Sequence, residues 1–310
     1  RGRMQEAMSA PKVGGIVRLT GFVIRSSLVM EGIGALCMLP VFCRDFGVSG
    51  IWKAIFHSVS AFCNAGFDLM GTPDTPFVSL TAYRADPVIS LTISALIVIG
   101  GIGFLTWDDV RTNRLHFHRY RLQSKVILTS TALLILLPTL YFFFFEFKGV
   151  TPQERLLLSL FQSITPRTAG FNTADYTSLS SSGRGLTILL MFIGGSPGST
   201  AGGIKTTTIA VLVANAFAVF RRQKSPEMFG RRMEEKAVHD AAAIFTLYLV
   251  LSLTGAFTIS TVEGLPLSEC LFETTSAIAT VGLSLGLTPH LGIVSQGILI
   301  FLMFIGRVGG

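Results

Sequence analysis

The sequence has 310 residues, of which half are apolar and only 14% charged, and its mean hydropathy is +0.60. Ordinary soluble domains carry roughly 25% charged residues, so this composition excludes one and points to a chain dissolved in lipid. The net charge of +7 does not indicate nucleic acid, because the basic residues lie in short stretches beside apolar runs and not on a basic domain with interleaved aromatics.

Crossing about 30 Å of hydrocarbon takes roughly 20 residues. Runs of that kind occur, in chain order, near residues 16–42, 88–105, 124–147, 186–220, 237–261 and from 293 to the end. Six spans are predicted, the fourth interrupted. Between them lie shorter apolar stretches at residues 51–62, 152–164 and 266–278. These are too short to span and suit re-entrant helices that enter and leave on one side. Pro152 and Pro266 stand where such helices start, since proline's missing N–H costs nothing in a first turn.

Each short stretch leads into one repeated pattern: Cys63-Asn64-Ala65-Gly66, Arg167-Thr168-Ala169-Gly170 and Ala279-Thr280-Val281-Gly282, each followed by a large apolar residue. The glycines are 104 and 112 residues apart, and a second signature follows each one: Ile99-Gly100-Gly101, Ile193-Gly194-Gly195 and Ile305-Gly306-Arg307. From glycine to signature isoleucine the interval is 23 residues in the second and third units and 33 in the first, the excess falling between Gly71 and Asp86. A shared register of this kind marks internal repeats. The unit reads as long helix, short helix, glycine turn, long helix, the plan of an all-α membrane protein with pore loops around a central ion path. The three pore repeats are assigned to residues 1–125, 126–236 and 237–310.

The chemistry favours a cation. A dehydrated cation needs oxygens in place of its water, and backbone carbonyls supply them without a full charge that would hold it too tightly. Pointing several carbonyls at one axis requires backbone angles that glycine reaches freely, and the short helices aim the negative ends of their dipoles at the same place. The twelve residues of the three glycine segments are therefore the candidate selectivity filter, with a cation at their carbonyls. A single such glycine also fits a simple tight turn; three in register do not.

The interrupted span places Gly194, Gly195, Ser196, Pro197, Gly198, Ser199, Thr200, Ala201, Gly202 and Gly203 in mid-membrane. Non-helical backbone at that depth survives only when buried in protein or lining a water-filled cavity. A phosphate-binding loop is excluded by register, because its lysine would fall at Ile204. The alternatives left are a mobile barrier under the filter and a passive helix break. Lys205 snorkels to the interface or joins that barrier. Arg307, inside the last span, must face the bundle interior or water, either near the loop or paired with a carboxylate such as Glu31.

Sixteen of the 25 basic residues crowd three stretches: Arg1, Arg3, Lys12, Arg18 and Arg25; Arg111, Arg114, Arg119, Arg121 and Lys125; Arg221, Arg222, Lys224, Arg231, Arg232 and Lys236. The positive-inside rule makes these cytoplasmic, in a multi-pass plasma-membrane protein whose pore loops enter from outside. Anionic lipid headgroups are natural partners for them. His57 and Glu273, in the short helices, are read as hydrogen-bonding neighbouring backbone. Asp68 is placed at the outer mouth, Asp108 and Asp109 at a solvated helix end, and the four cysteines as small core residues. Scattered histidines and carboxylates offer no convergent catalytic set, so no enzyme is expected.

The filter segments, the Ile-Gly-Gly and Ile-Gly-Arg signatures and the run from Gly194 to Thr207 together resemble the Ktr/Trk/HKT superfamily of potassium transporters, most closely its KtrB membrane subunits, over nearly the whole chain. The resemblance implies four pore repeats, of which three are present, so a further repeat before Arg1 and more of the last helix after Gly310 are expected. It implies potassium at the carbonyls of those twelve segment residues, with sodium admitted as a second ion, and an intramembrane gating loop at residues 194–203 with Arg307 beside it. It also implies a homodimer controlled by a cytosolic KtrA-like ring that binds ATP or ADP; this chain shows no nucleotide site. The alternative is a secondary transporter with substrate held at the broken helix, which predicts inverted repeats.

Overall fold

A computed structural model describes residues 16–114, 116–223 and 225–308, apart from the side chains of residues 16 and 18. Arg1, Arg3, Lys12, Lys224, Gly310 and the side chain of Arg18 lie outside the described residues. Eleven α-helices form among the described residues: α1 (Ile16–Phe46), α2 (Ser49–Phe62), α3 (Pro87–Gly101), α4 (Phe104–Asn113), α5 (Leu122–Phe145), α6 (Pro152–Ile164), α7 (Ser181–Phe192), α8 (Thr206–Phe220), α9 (Glu235–Glu263), α10 (Leu267–Ile278) and α11 (Ile293–Val308). A small antiparallel hairpin, β1 (Glu227–Met228) and β2 (Arg231–Arg232), joins α8 to α9.

The fold is an all-α membrane bundle in which long helix, short helix, glycine turn and long helix recur. Among the described helices, α1, α5 and α9 are long and apolar enough to cross a membrane by themselves. No more than 28% of the most apolar stretch of any of them is buried within the protein, an exposure that fits helices facing lipid or other membrane helices. Their outward faces carry Leu28 and Leu36, Leu136 and Leu140, and Val250 and Phe257. Inside, Phe42, Phe62, Ile93, Phe161 and Phe171 knit α1, α2, α3 and α6 together. A second cluster around Tyr248, Ala256, Ile278, Leu299 and Leu302 unites α9, α10 and α11.

Two expected spans depart from straight helices. The run at 88–105 stops at Gly101, and α4 leaves at 96° to α3. Gly103 makes the corner with φ +88°, and the Phe104 N–H then donates to the Gly198 carbonyl at 2.9 Å. The run at 186–220 divides into α7 and α8 around residues 193–205. The short helices match the sequence closely, with Pro152 in the first turn of α6 and Pro266 as the residue preceding α10.

Other placements differ from expectation. Asp109 is buried, not solvated: it accepts from the Arg121 N–H at 3.0 Å and from the Ser124 hydroxyl, so it caps the start of α5 from the end of α4. A carboxylate satisfying free helix N–H groups is stabilising. Asp109→Ala is expected to lower stability by about 1–3 kcal/mol, read as a fall in the unfolding temperature of detergent-purified protein, with Asp108→Ala, half-exposed, changing it little. Of the cysteines only Cys270 is buried; Cys37 and Cys63 are exposed.

Candidate ion-conduction site

Each short helix ends in a backbone that reverses hand at alternate residues. Asn64 and Gly66 have φ +50° and +72°, Thr168 and Gly170 +72° and +85°, Thr280 and Gly282 +55° and +87°. Extended backbone sends successive carbonyls to opposite sides; alternating the sign of φ turns them toward one side, as a column of cation-coordinating oxygens requires. Positive φ is an outlier for β-branched residues and costs on the order of 1–3 kcal/mol unless the surroundings impose it. Here the turns are imposed from the ends of the short helices. The Ala65 N–H donates to the Ser60 carbonyl at 2.9 Å, Ala169 to Thr165 at 3.0 Å and Val281 to Ser276 at 2.9 Å. The sequence pattern contains the glycines but gives no hint that the residue two before each shares their handedness.

The three segments lie against one another in chain order. A Cβ placed on Gly66 would collide with the Ala169 carbonyl, and one on Gly170 with the Val281 carbonyl. Beside Gly282 there is nothing within 4 Å, so that flank of the arrangement is open among the described residues. Thr168, Ala169, Ala279 and Val281 are almost wholly buried, whereas Cys63 and Ala65 are exposed. Arg167 is buried, with Nη2 3.5 Å from the Thr131 hydroxyl.

The second signatures acquire a physical meaning that spacing alone does not supply. A Cβ on Gly100 would strike the Phe62 carbonyl, and one on Gly306 the Ile278 carbonyl. Both carbonyls stand four residues before the segment glycine, at the last turn of a short helix. Glycine is thus what lets each long helix pack against the backbone supporting the turn. Gly194, in the second repeat, packs instead against the Gly202 carbonyl, 2.5 Å from a Cβ there.

No residue from Ile193 to Lys205 is exposed. A buried loop must satisfy its own polar groups, and this one does so against the first repeat. Thr200 Oγ1 donates to the Phe62 carbonyl at 2.9 Å and the Thr200 N–H to Gly100 at 3.3 Å; the Ser196 N–H donates to Gly101 at 2.9 Å. Its ends are pinned by a parallel bridge between Ile193 and Ile204. Gly202 abuts the Thr280 side chain, and Gly203 lies under Ala279, its Cβ position 3.0 Å from that carbonyl. The loop therefore touches the first and third segments together, at the ends next to their short helices. Lys205 Nζ donates to the Ala201 carbonyl at 3.0 Å and lies within electrostatic reach of Arg307. Arg307 is exposed, and among the described residues neither it nor Glu31 takes part in an ion pair.

A family model described as TrkH, cation transport protein, matches residues 13–310. The chain belongs to the TrkH family. Among the relatives of this TrkH-family chain, the potassium/sodium uptake protein NtpJ of Enterococcus hirae is 40% identical over 99% of the chain and 68% of its own length. The Ktr system potassium uptake protein B of Bacillus subtilis is 37% identical over 99% of the chain and 69% of its own length. The crystal structure of the potassium transporter TrkH from Vibrio parahaemolyticus superposes with a TM-score of 0.78 at 18% identity, covering 99% of this chain and 65% of that one. The chain thus spans about two thirds of these relatives' lengths and has the TrkH fold. Its relatives are cation transporters, so it is a multi-pass membrane protein of a transporter family and not of an enzyme family.

Proposed function

We propose that this TrkH-family chain forms three walls of a potassium uptake path, with sodium as a second permeant ion. The carbonyls of residues 63–66, 167–170 and 279–282 replace the ion's hydration shell. The observation that carries this reading is the alternation of positive φ at the same two places in all three segments, a strained backbone repeated threefold where the short helices end. The buried loop at 194–203, with Lys205 and Arg307 as fixed positive charges nearby, is the barrier; its contacts with Phe62, Ala279 and Thr280 support that role.

Regulation belongs to the same proposal. The basic inter-repeat loops face the cytoplasm, where anionic lipid and a cytosolic KtrA-like nucleotide-binding ring meet a homodimer of the membrane subunit. Support comes from the two loops' own contact: Phe117 and Phe229, both exposed, meet edge to face with centroids 6.3 Å apart, and Arg119, Arg231 and Arg232 of the same loops are exposed. Radiolabelled rubidium uptake into liposomes bearing the complete protein tests the path. Saturable uptake, displaced by potassium more readily than by sodium, is expected; its absence from well-folded protein sinks the pore reading and leaves the broken-helix transporter.

A further inference from the structure

The outer ends of the three segments are held in two different ways, and one of them uses residues from the extra length of the first repeat. In the first segment, the side chain nine residues before the glycine, His57, is fully buried. Its Nδ1 lies 2.6 Å from the Lys53 carbonyl, and its Nε2 accepts from the Leu69 N–H at 3.3 Å, three residues beyond the glycine. In the third, the residue in the same register is Glu273, 4% exposed. It accepts from the Leu285 N–H at 2.8 Å, again three beyond the glycine, and from the Ser284 and Thr288 hydroxyls at 2.9 and 2.6 Å. Each brace ties the outgoing chain to its own short helix.

The second segment has Phe161 in that register, which can accept no hydrogen bond. Its neighbour Gln162 is fully buried beside the Tyr176 hydroxyl with neither amide atom in a hydrogen bond of ordinary geometry, and Thr173, three beyond Gly170, has an unpartnered hydroxyl. The segment is held from elsewhere. The Asn172 N–H donates to Ser79 Oγ at 3.1 Å, and the Asn172 carbonyl accepts from the Leu80 N–H at 2.9 Å. Ser79 and Leu80 lie in the stretch between Gly71 and Asp86 that lengthens the first repeat.

That stretch is itself anchored on both sides. Leu80 is fully buried, Ser79 is held at φ +46°, and Tyr83 packs edge-on to Phe42 at 5.4 Å while its hydroxyl donates to Asp45 at 2.9 Å. Burial, with the adjacent Asp45 carboxylate, raises the Tyr83 hydroxyl's pKa above its ordinary value and keeps it a donor. Arg84 pairs with Glu154 of α6 at 2.8 Å.

Building on the filter reading above, we propose that residues 71–86 form a strap by which the first repeat braces the second segment, and that Ser79 is a positioning residue for ion discrimination, equivalent in effect to His57 and Glu273. The strap supplies in trans the fixed acceptor that Phe161 cannot. Loss of that acceptor loosens the outer end of one wall and widens the range of carbonyl positions, which admits the smaller cation more readily.

The test uses the complete protein in liposomes and scores discrimination as the ratio of sodium to potassium concentrations that halve rubidium uptake. Ser79→Ala is expected to lower this ratio about fivefold, the factor of one neutral hydrogen bond, while total uptake persists. Glu273→Leu should lower it similarly, and Glu273→Gln, which keeps an acceptor for Leu285, should restore most of it. Hydrogen exchange supplies a readout independent of transport: the amides of Leu80 and Asn172 should be protected in the unmodified protein, and Asn172 should exchange at least tenfold faster in Ser79→Ala. An unchanged ratio in folded Ser79→Ala beside a reduced one in Glu273→Leu overturns the strap and leaves the filter standing. Fast exchange at both amides in the unmodified protein overturns the strap whether or not the variant folds. Absence of rubidium uptake from the unmodified protein overturns the filter reading, and the strap's role in discrimination with it.

Discussion

Alanine at Gly66 or Gly170 is expected to abolish selective rubidium uptake, and alanine at Gly282 to lower discrimination. All three glycines have positive φ, so each substitution carries the cost of a left-handed L-residue, about 1–2 kcal/mol. At Gly66 and Gly170 the added Cβ also collides with a carbonyl of the next segment, at Ala169 and Val281. Backbone in a close-packed interior cannot yield as a flexible side chain can, so the segments must separate and the carbonyl column is lost. The comparison is uptake into liposomes by the three variants, matched for folded protein by gel filtration. Selective uptake retained by folded Gly66→Ala and Gly170→Ala would show that the close approach between walls does not govern the carbonyl column.

The second large effect is expected in the opposite direction. Thr200→Val should raise rubidium uptake about tenfold in the absence of any cytosolic regulator. Thr200 Oγ1 holds the Phe62 carbonyl at 2.9 Å, so the buried loop is tied to the last turn of α2, directly beneath the first segment. Valine keeps the shape and removes the donor, leaving a buried carbonyl unpaired at a cost of about 1–3 kcal/mol. That cost falls on the seated loop alone, and each 1.4 kcal/mol moves a two-state equilibrium about tenfold. Thr200→Ser, which retains the hydroxyl, should behave like the unmodified protein. If folded Thr200→Val transports at the ordinary rate, the loop is a passive element of the bundle and not the barrier.

How much of this was legible in the sequence depends on the range of the interactions involved. The short helices were readable almost to the residue, because an apolar stretch below spanning length that ends in a glycine turn, opened by proline in the second and third repeats, has few other solutions in lipid. Gly66, Gly170 and Gly282 were readable because glycine alone takes positive φ freely. Asn64, Thr168 and Thr280 were not: intrinsic preference argues against left-handed threonine, and only hydrogen bonds from the ends of the short helices enforce it. Asp109 looked like a solvated helix end because its local neighbours are polar, yet the 96° turn between α3 and α4 carries it to the start of α5.

The sequence by itself determined the solvent, the order of the apolar segments, the three short helices with their glycine turns and the buried break at 194–203, since each follows from hydrophobic run length or the conformational range of one residue type. Only the tertiary structure decided which backbone meets which. It set Gly100 and Gly306 on the carbonyls of Phe62 and Ile278, the loop beneath Ala279 and Thr280, and the stretch at 71–86 across to Asn172. Such contacts join residues from different repeats or from opposite ends of one. Their partners are carbonyls and N–H groups that every residue carries, so nothing in the one-dimensional pattern marks them.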